Sequence, residues 1–179
     1  TDGDGYGDNS NGANPDSCPY VAGNSSKNFK WGCTDTDGDG YADIDDALQN
    51  LAGQWEDTDG DGYGDDPNGP QFDSCKYEPG TSWIDRYGCK DTDNDGYSDL
   101  NDHFPNDVLR HLDSDNDGFD DLSEDACDGI FGTSSIDRKG CIDTDGDGYS
   151  DPDAFYSVAD GADAFPTEPT QWNDTDGDG

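Results

Sequence analysis

One acidic phrase occurs seven times along the chain, with aspartate at alternate positions followed by a glycine and an aromatic residue. By loop position, aspartate stands at one, three, five and nine, glycine at six and an aromatic residue at seven. Five copies are whole and begin at Asp35, Asp57, Asp91, Asp113 and Asp143, whereas the first and last copies are partial. Carboxylates at every second residue around a glycine turn are the ligand pattern of loops that wrap Ca²⁺. The spacing therefore predicts that several calcium ions organise this chain.

The predicted ligands of each loop are the side chains at positions one, three, five, nine and twelve and the backbone carbonyl at seven. The first two whole loops supply Asp35, Asp37, Asp39, Tyr41, Asp43 and Asp46, and then Asp57, Asp59, Asp61, Tyr63, Asp65 and Asn68. The next two supply Asp91, Asp93, Asp95, Tyr97, Asp99 and Asp102, and then Asp113, Asp115, Asp117, Phe119, Asp121 and Glu124. The last whole loop supplies Asp143, Asp145, Asp147, Tyr149 and Asp151. The partial copies supply Asp2, Asp4, Tyr6 and Asp8 at the start, and Asp174, Asp176 and Asp178 at the end.

Position twelve, where a bidentate acid closes an EF-hand loop, varies among the copies. Asp46, Asp102 and Glu124 match that pattern, and Asn68 departs from it. Ala154 stands at this position in the loop at Asp143 and has no oxygen to offer. There we expect a neighbouring acid to close the shell, unless water does. The candidate acids are Asp153, Asp160 and Asp163.

The composition indicates that folding and metal binding are one event. The formal charge is −37, from 45 acidic and 8 basic residues, and only 28% of residues are hydrophobic. Such a chain cannot bury enough apolar surface to offset its conformational entropy, and its charges repel one another. Calcium would relieve that repulsion, so we expect the chain to be disordered without it.

Six cysteines fall into three closely spaced pairs, which are Cys18 with Cys33, Cys75 with Cys89, and Cys127 with Cys141. Six cysteines allow fifteen connectivities, but the regular spacing favours three local bridges, each worth roughly 3 kcal/mol in the chain-entropy model. A thiolate metal site is the rival interpretation, although no Cys-x-x-Cys spacing occurs and histidine is scarce. Disulfides indicate an oxidising compartment, so an extracellular or cell-surface location is expected. No apolar run approaches the length of a membrane span.

Loops and cysteines together repeat with a period of about 57 residues. The predicted modules are 1–56, 57–112 and 113–173, with 174–179 beginning another. Each module runs as a calcium loop, a disulfide hairpin, a second calcium loop and a linker. A fixed period of this kind is typical of a linear array in which each unit contacts its neighbours. Because both ends of the sequence lie inside the same motif, we interpret it as a window of a longer repetitive protein with copies joined end to end.

Regular secondary structure is expected to be scarce, because glycine and aspartate interrupt nearly every window. The segment 44–52 is the exception and is compatible with two helical turns. The aromatic residues at position seven are expected to pack in small clusters with tryptophans 31, 55, 83 and 172. The predicted fold is therefore an elongated tandem-repeat array with little regular structure, stabilised by calcium and pinned by disulfides.

The pattern from Asp113 to Cys127 resembles the thrombospondin type 3 repeat, as does the aromatic residue after Asp-Gly-Asp-Gly. The resemblance covers essentially the whole chain. It implies a calcium-wrapped, disulfide-pinned string in the extracellular matrix or on a microbial surface, in which calcium ions often share carboxylates in pairs. The modules here are longer than that family's pattern, and so are the hairpins, such as the one from Cys75 to Cys89.

The favoured function is a structural one, a stiff calcium-binding stalk, spacer or fibre. An enzyme is not expected, because no nucleophile, base and orienting group occur together at usable spacing. The alternative is a dockerin-like module that binds a protein partner, although it requires a helix after each loop and prolines 105, 152 and 166 oppose one. Asn24 and Asn173 begin sequons and are candidate N-glycosylation sites. No nucleic-acid partner is expected.

Overall fold

The structure, a computed structural model, describes residues 2–177. Within this range the helices are two 3₁₀ turns, Asp43–Asp45 and Val158–Asp160. Isolated bridges join Gly7 to Pro15, Asp16 to Trp31 and Gly64 to Phe72. The prediction of little regular secondary structure is confirmed. Asp178, a predicted ligand in the partial module 174–179, lies outside the described residues.

The helical prediction for 44–52 is wrong. A 3₁₀ turn ends at Asp45, and Asp46 is extended, with φ −113° and ψ 115°. The N–H of Leu48 donates to Oδ1 of Asp46 at 2.7 Å. This local bond from side chain to backbone competes with helix formation, as aspartate commonly does. The segment therefore continues as turns.

The chain divides into two compact units, Thr1–Asn101 and Asp102–Gly179. The first contains the disulfide bridges Cys18–Cys33 and Cys75–Cys89, and the second contains Cys127–Cys141. The division falls within the predicted module 57–112, whose boundaries remain predictions. No helix among residues 2–177 is long and apolar enough to cross a membrane.

All three disulfides join the local pairs, which confirms the predicted pairing and leaves no free cysteine among the described residues. We call the segments 18–33, 75–89 and 127–141 the disulfide hairpins. A fully buried serine braces each hairpin at an equivalent place; these serines are Ser25, Ser82 and Ser134. In the second hairpin the Ser82 hydroxyl donates to the Arg86 carbonyl and accepts the N–H of Cys89 at 3.0 Å. One buried hydroxyl thus hydrogen-bonds to two backbone groups that have no partner in a helix or a sheet.

Each disulfide hairpin is bonded to the loop that follows it. The N–H groups of Trp83 and Ile84 both donate to the Gly96 carbonyl at 3.0 Å. The same pair of bonds recurs from 26 and 27 to Gly40, and from 135 and 136 to Gly148. The glycine of loop position six is the acceptor in every case, so the hairpin fixes the turn of the next loop.

Aromatic residues at position seven pack as predicted in two loops. Tyr41 stacks on Trp55 with ring centroids 4.4 Å apart, and Tyr149 stacks on Trp172 at 5.2 Å. The Nζ of Lys27 lies 4.7 Å from the Tyr41 ring centroid and adds a cation–π contact from the first hairpin. These clusters replace a continuous apolar core, and many large apolar side chains remain exposed.

Candidate metal centres

The acidic loops share one backbone conformation in which positions four and six have positive φ. Gly40 at position six has φ 101°, and Asn94 and Asn116 at position four both have φ 64°. Glycine adopts this region without a steric cost, and asparagine is the side chain that tolerates it best. The alternation of aspartate with glycine or asparagine is therefore a requirement of the turn.

The position-one aspartate holds the loop closed with both oxygens. In the loop at Asp57, the N–H of Gly60 donates to Oδ1 at 2.7 Å and that of Gly62 donates to Oδ2 at 3.0 Å. Equivalent pairs of bonds are made by Asp35, Asp91, Asp113 and Asp143. In the last partial copy, Asp174 accepts the N–H of Gly177 at 2.8 Å. A carboxylate bonded in this way is oriented before any ligand arrives.

The position-five aspartate accepts the N–H of the aromatic residue at position seven through Oδ1. These distances are 2.8–2.9 Å in all six loops, at Tyr6, Tyr41, Tyr63, Tyr97, Phe119 and Tyr149. In four of them Oδ2 accepts the N–H of a later glycine, as in the bond from Gly80 to Asp61 at 2.8 Å. This bond brings the following segment, often a disulfide hairpin, up to the loop.

The position-three aspartate repeatedly has one oxygen without a partner, a feature that at position five is found at Asp147. Its Oδ1 accepts the N–H of position five, at 3.2 Å between Asp37 and Asp39. Its Oδ2 is buried without a hydrogen-bond partner in six of the seven copies, at Asp2, Asp37, Asp59, Asp93, Asp115 and Asp145, whereas Asp176 in the last partial copy is exposed. A buried anionic oxygen without a donor costs several kcal/mol, so native structures pair such atoms or place them on a metal.

The aspartates at positions one, three and five converge in each of four loops. In the loops at Asp35, Asp57, Asp91 and Asp113, one oxygen from each of the three lies within 4.8 Å of the others. In the first partial copy the group is Asp2, Asp4 and Asp16, and a sixth group of this kind exists. Two oxygens bound to one Ca²⁺ at about 2.4 Å can be at most about 4.8 Å apart. The spacing therefore fits a shared calcium ion.

Position nine, predicted as a ligand, forms a clasp with position two. In the loop at Asp143, the N–H and the hydroxyl of Thr144 donate to Oδ1 and Oδ2 of Asp151 at 3.1 and 2.5 Å. The same arrangement holds at Asp43, Asp65, Asp99 and Asp121. Asp8 is exposed at this position in the first copy. Both oxygens of the five clasped aspartates accept hydrogen bonds, so these residues brace the loop, and their role as ligands stays a prediction.

Position twelve behaves differently from loop to loop. Asp46 is buried, and desolvation, together with the charges of Asp37, Asp39 and Asp43, raises its pKa. Asn68 is exposed and its Nδ2 donates to Asp66 at 3.0 Å.

In the loop at Asp113, Glu124 lies 3.4 Å from Arg110 and 3.3 Å from Lys139, measured between the charged atoms. Asp102, the twelfth residue of the loop at Asp91, is buried and accepts the N–H of Phe104 at 2.7 Å. The position-twelve residues therefore do not share one environment.

Four further aspartates lie against these groups, and only one was among the sequence candidates. Asp16, Asp73, Asp125 and Asp163 each keep Oδ2 buried without a hydrogen-bond partner. Asp163 is one of the three candidate acids for the last whole loop. Of the other two, Asp153 pairs with Arg138 at 2.7 Å, and Asp160 accepts the N–H and the hydroxyl of Ser157. The signal in the sequence is that Asp16, Asp73 and Asp125 each stand two residues before the first cysteine of a hairpin.

At three of these residues, Asp73, Asp125 and Asp163, burial and then the neighbouring carboxylates raise the pKa. Desolvation, with smaller contributions from the charges of Asp61, Asp59 and Asp65, raises the pKa of Asp73 to about 6. Desolvation and the charges of Asp147, Asp145 and Asp151 likewise raise the pKa of Asp163. A positive ion at the centre would reverse these interactions.

The candidate glycosylation sites differ in their surroundings. Asn24 is exposed, but the next residue of its sequon, Ser25, is fully buried and braces the first hairpin. Asn173 is exposed and its Nδ2 lies 3.5 Å from Oγ1 of Thr175. In the same partial copy, Asp176 follows Asp174 at position three.

A scan against models of known protein families and a search of curated proteins found no match to this chain.

Proposed function

We propose that this chain is an extracellular calcium-binding tandem-repeat protein, similar to thrombospondin type 3 repeats, that serves as a stiff stalk, spacer or fibre. The observation that carries the proposal is the buried position-three Oδ2 without a partner, which recurs in six loops. A single such atom could be a local accident of packing. Six at one loop position indicate a common ligand that the loops are built to hold.

The donor set fits a hard cation such as Ca²⁺. The converging atoms are carboxylate oxygens, and all six cysteines are used in disulfides. Zinc and softer metals favour thiolate and imidazole, whereas Ca²⁺ takes six to eight oxygens in flexible arrangements. When bound, the ion would supply positive charge to a chain of net charge −37. The protein's own part is to orient the carboxylates, through backbone N–H groups to positions one, three and five.

A structural role is favoured over binding of a small molecule or a helical partner. Each hairpin donates backbone bonds to the next loop, and glycine N–H groups bond back to position five, so within each compact unit these bonds join successive segments. Three disulfides support an oxidising, extracellular location. The dockerin-like alternative requires a helix after each loop. The only helical elements among residues 2–177 are two 3₁₀ turns, so this requirement is not met there.

Calcium titration of protein stripped with a chelator tests the proposal. Equilibrium dialysis is expected to give several bound ions per chain, and circular dichroism and hydrodynamic radius should change as they bind. Magnesium at the same concentration should substitute poorly, since it demands near-octahedral geometry and keeps its water. A stripped chain that binds no calcium, or whose radius is the same with and without it, would refute the proposal.

A further inference from the structure

Four aspartates outside the repeated phrase have one oxygen anchored and the other free. The N–H two residues later donates to Oδ1 at 2.7 Å for Asp16, 2.6 Å for Asp73, 2.6 Å for Asp125 and 2.7 Å for Asp163. This is an Asx turn, which fixes the rotamer of the carboxylate. Oδ2 is buried without a partner in all four, and the whole residue is 1% exposed for Asp73 and Asp163 and 9% for Asp16.

Neighbouring atoms show where three of these carboxylates lie. Asp16 has an oxygen within 4.8 Å of oxygens of both Asp2 and Asp4. In the second hairpin, a side-chain carbon at Gly88 would collide with Oδ1 of Asp73 and come within 3.1 Å of Oδ2 of Asp61. Gly140 stands in the same relation to Asp125 and Asp117. The anchored aspartate and the position-five ligand of the loop therefore flank one point on the hairpin.

The residues at position twelve of the same loops are engaged elsewhere or lack oxygen. Asn68 is exposed and bonded to Asp66, and Glu124 is paired with Arg110 and Lys139. Ala154 has no side-chain oxygen. Position twelve is therefore not an acid in the loops at Asp57 and Asp143, and in the loop at Asp113 it is an acid already paired with two cations.

We propose that the aspartates of these Asx turns, Asp16, Asp73, Asp125 and Asp163, are the closing calcium ligands of their loops in place of position twelve. This inference rests on the proposed calcium function and names a ligand for it. Measured from the first aspartate of the loop, Asp125, Asp73 and Asp163 follow after 12, 16 and 20 residues (125 − 113, 73 − 57 and 163 − 143). The chain between loop and ligand can vary in length because the Asx turn, rather than the spacing, orients the closing oxygen.

The arrangement couples metal binding to the disulfide hairpins. Oδ1 of Asp16, Asp73 and Asp125 accepts the N–H of the first cysteine of a hairpin, while Oδ2 is the oxygen left for the ion. One carboxylate thus joins the loop to the bridge that follows it. Asp163 has the same geometry but precedes Phe165 instead of a cysteine.

Matched substitutions in the full chain test the inference, with Ca²⁺ as the probe. Asp73→Asn and Asp125→Asn keep an oxygen that can accept the cysteine N–H but remove the negative charge from the closing position. Asn68→Ala and Glu124→Gln are the controls for the position-twelve alternative, and Glu124→Gln matches the charge change of Asp125→Asn. Competition titration against a chromophoric chelator should show one site weakened about tenfold or more in each Asp→Asn variant and none weakened in the controls.

Each outcome has a distinct meaning. If the parent chain binds no calcium, the proposed function fails. If the parent binds and Asn68→Ala or Glu124→Gln weakens a site as much as the aspartate variants do, the closing-ligand inference is overturned. Mass mapping without reductant shows whether Cys75–Cys89 and Cys127–Cys141 form in the variants. If these disulfides do not form, the calcium affinity of Asp163→Asn is compared with that of Asp153→Asn. Neither residue adjoins a cysteine, so this comparison does not depend on the disulfides. Equal affinity in those two variants would then overturn the inference.

Discussion

Replacing Asp37 by asparagine should stabilise the chain at low calcium and destabilise it at high calcium. Asp37 occupies position three, its Oδ2 is buried without a partner, and an oxygen of it lies within 4.8 Å of oxygens of Asp35 and Asp39. Without metal the three charges repel one another, whereas in the proposed calcium site they would be ligands. The amide removes two repulsive pairs and can donate to its neighbours, but it is a weaker calcium ligand.

The magnitude follows from this spacing. Two unit charges 4.8 Å apart repel by about 0.9 kcal/mol at the dielectric constant of water and by about 3.5 kcal/mol at an effective value of 20. Asp37 is half-buried, so the lower figure applies to each of its two pairs, and physiological salt reduces it further. Asp37→Asn should therefore stabilise the calcium-free state by about 1–2 kcal/mol. At calcium 100-fold above the dissociation constant, an intact site contributes about 2.7 kcal/mol, much of which the variant would lose.

Thermal unfolding followed by circular dichroism over a series of calcium concentrations measures both effects. The midpoints of parent and variant should cross, with the variant higher at low calcium and rising less steeply. Asp45→Asn is the matched control, because it removes one exposed charge from the same segment and should shift midpoints little at any concentration. A variant that is less stable than the parent by the same amount at every calcium concentration would refute the reasoning, since a lost hydrogen bond alone predicts that result.

Three other substitutions test the supporting structure. Ser82→Ala should cost about 1–3 kcal/mol of unfolding free energy in denaturant titration, since it strands the Arg86 carbonyl and the Cys89 N–H, whereas exposed Ser74→Ala should cost under about 0.5; equal costs would contradict the bracing role. Trp55→Ala should lower the unfolding free energy by about 0.5–1.5 kcal/mol for the lost stack on Tyr41 alone, and Trp55→Phe should retain part of that stabilisation. An unchanged melting curve would argue against the cluster. Thr144→Val should lower stability by about 0.5–1.5 kcal/mol by releasing Asp151, with exposed Thr167→Val as the silent comparison; a loss confined to calcium affinity would make Asp151 a ligand instead of a brace.

Local features were predictable from the sequence because they are encoded within a few residues. The aspartates at positions one, three and five converge because the glycine or asparagine between them allows positive φ, and both residue types are visible in the sequence. The disulfide pairing followed from regular spacing, and the scarcity of helix and strand followed from the density of glycine and aspartate. The segment 44–52 was the exception, because Asp46 bonds to the N–H of Leu48 and ends the turn.

Only the tertiary structure shows which aspartates outside the repeated phrase lie beside the loops. Asp73 and Asn68 are both polar, and the EF-hand spacing favoured Asn68, yet Asp73 is buried beside Asp61 and Asn68 is exposed. Position nine likewise fits a ligand by spacing. Only the tertiary structure shows that both of its oxygens accept hydrogen bonds from position two. The sequence determines where a chain can turn and which groups it offers to an ion. A distant carboxylate can reach that ion only if the intervening segment folds back onto the loop. The length of that segment varies from loop to loop, so local spacing does not predict which carboxylate it is.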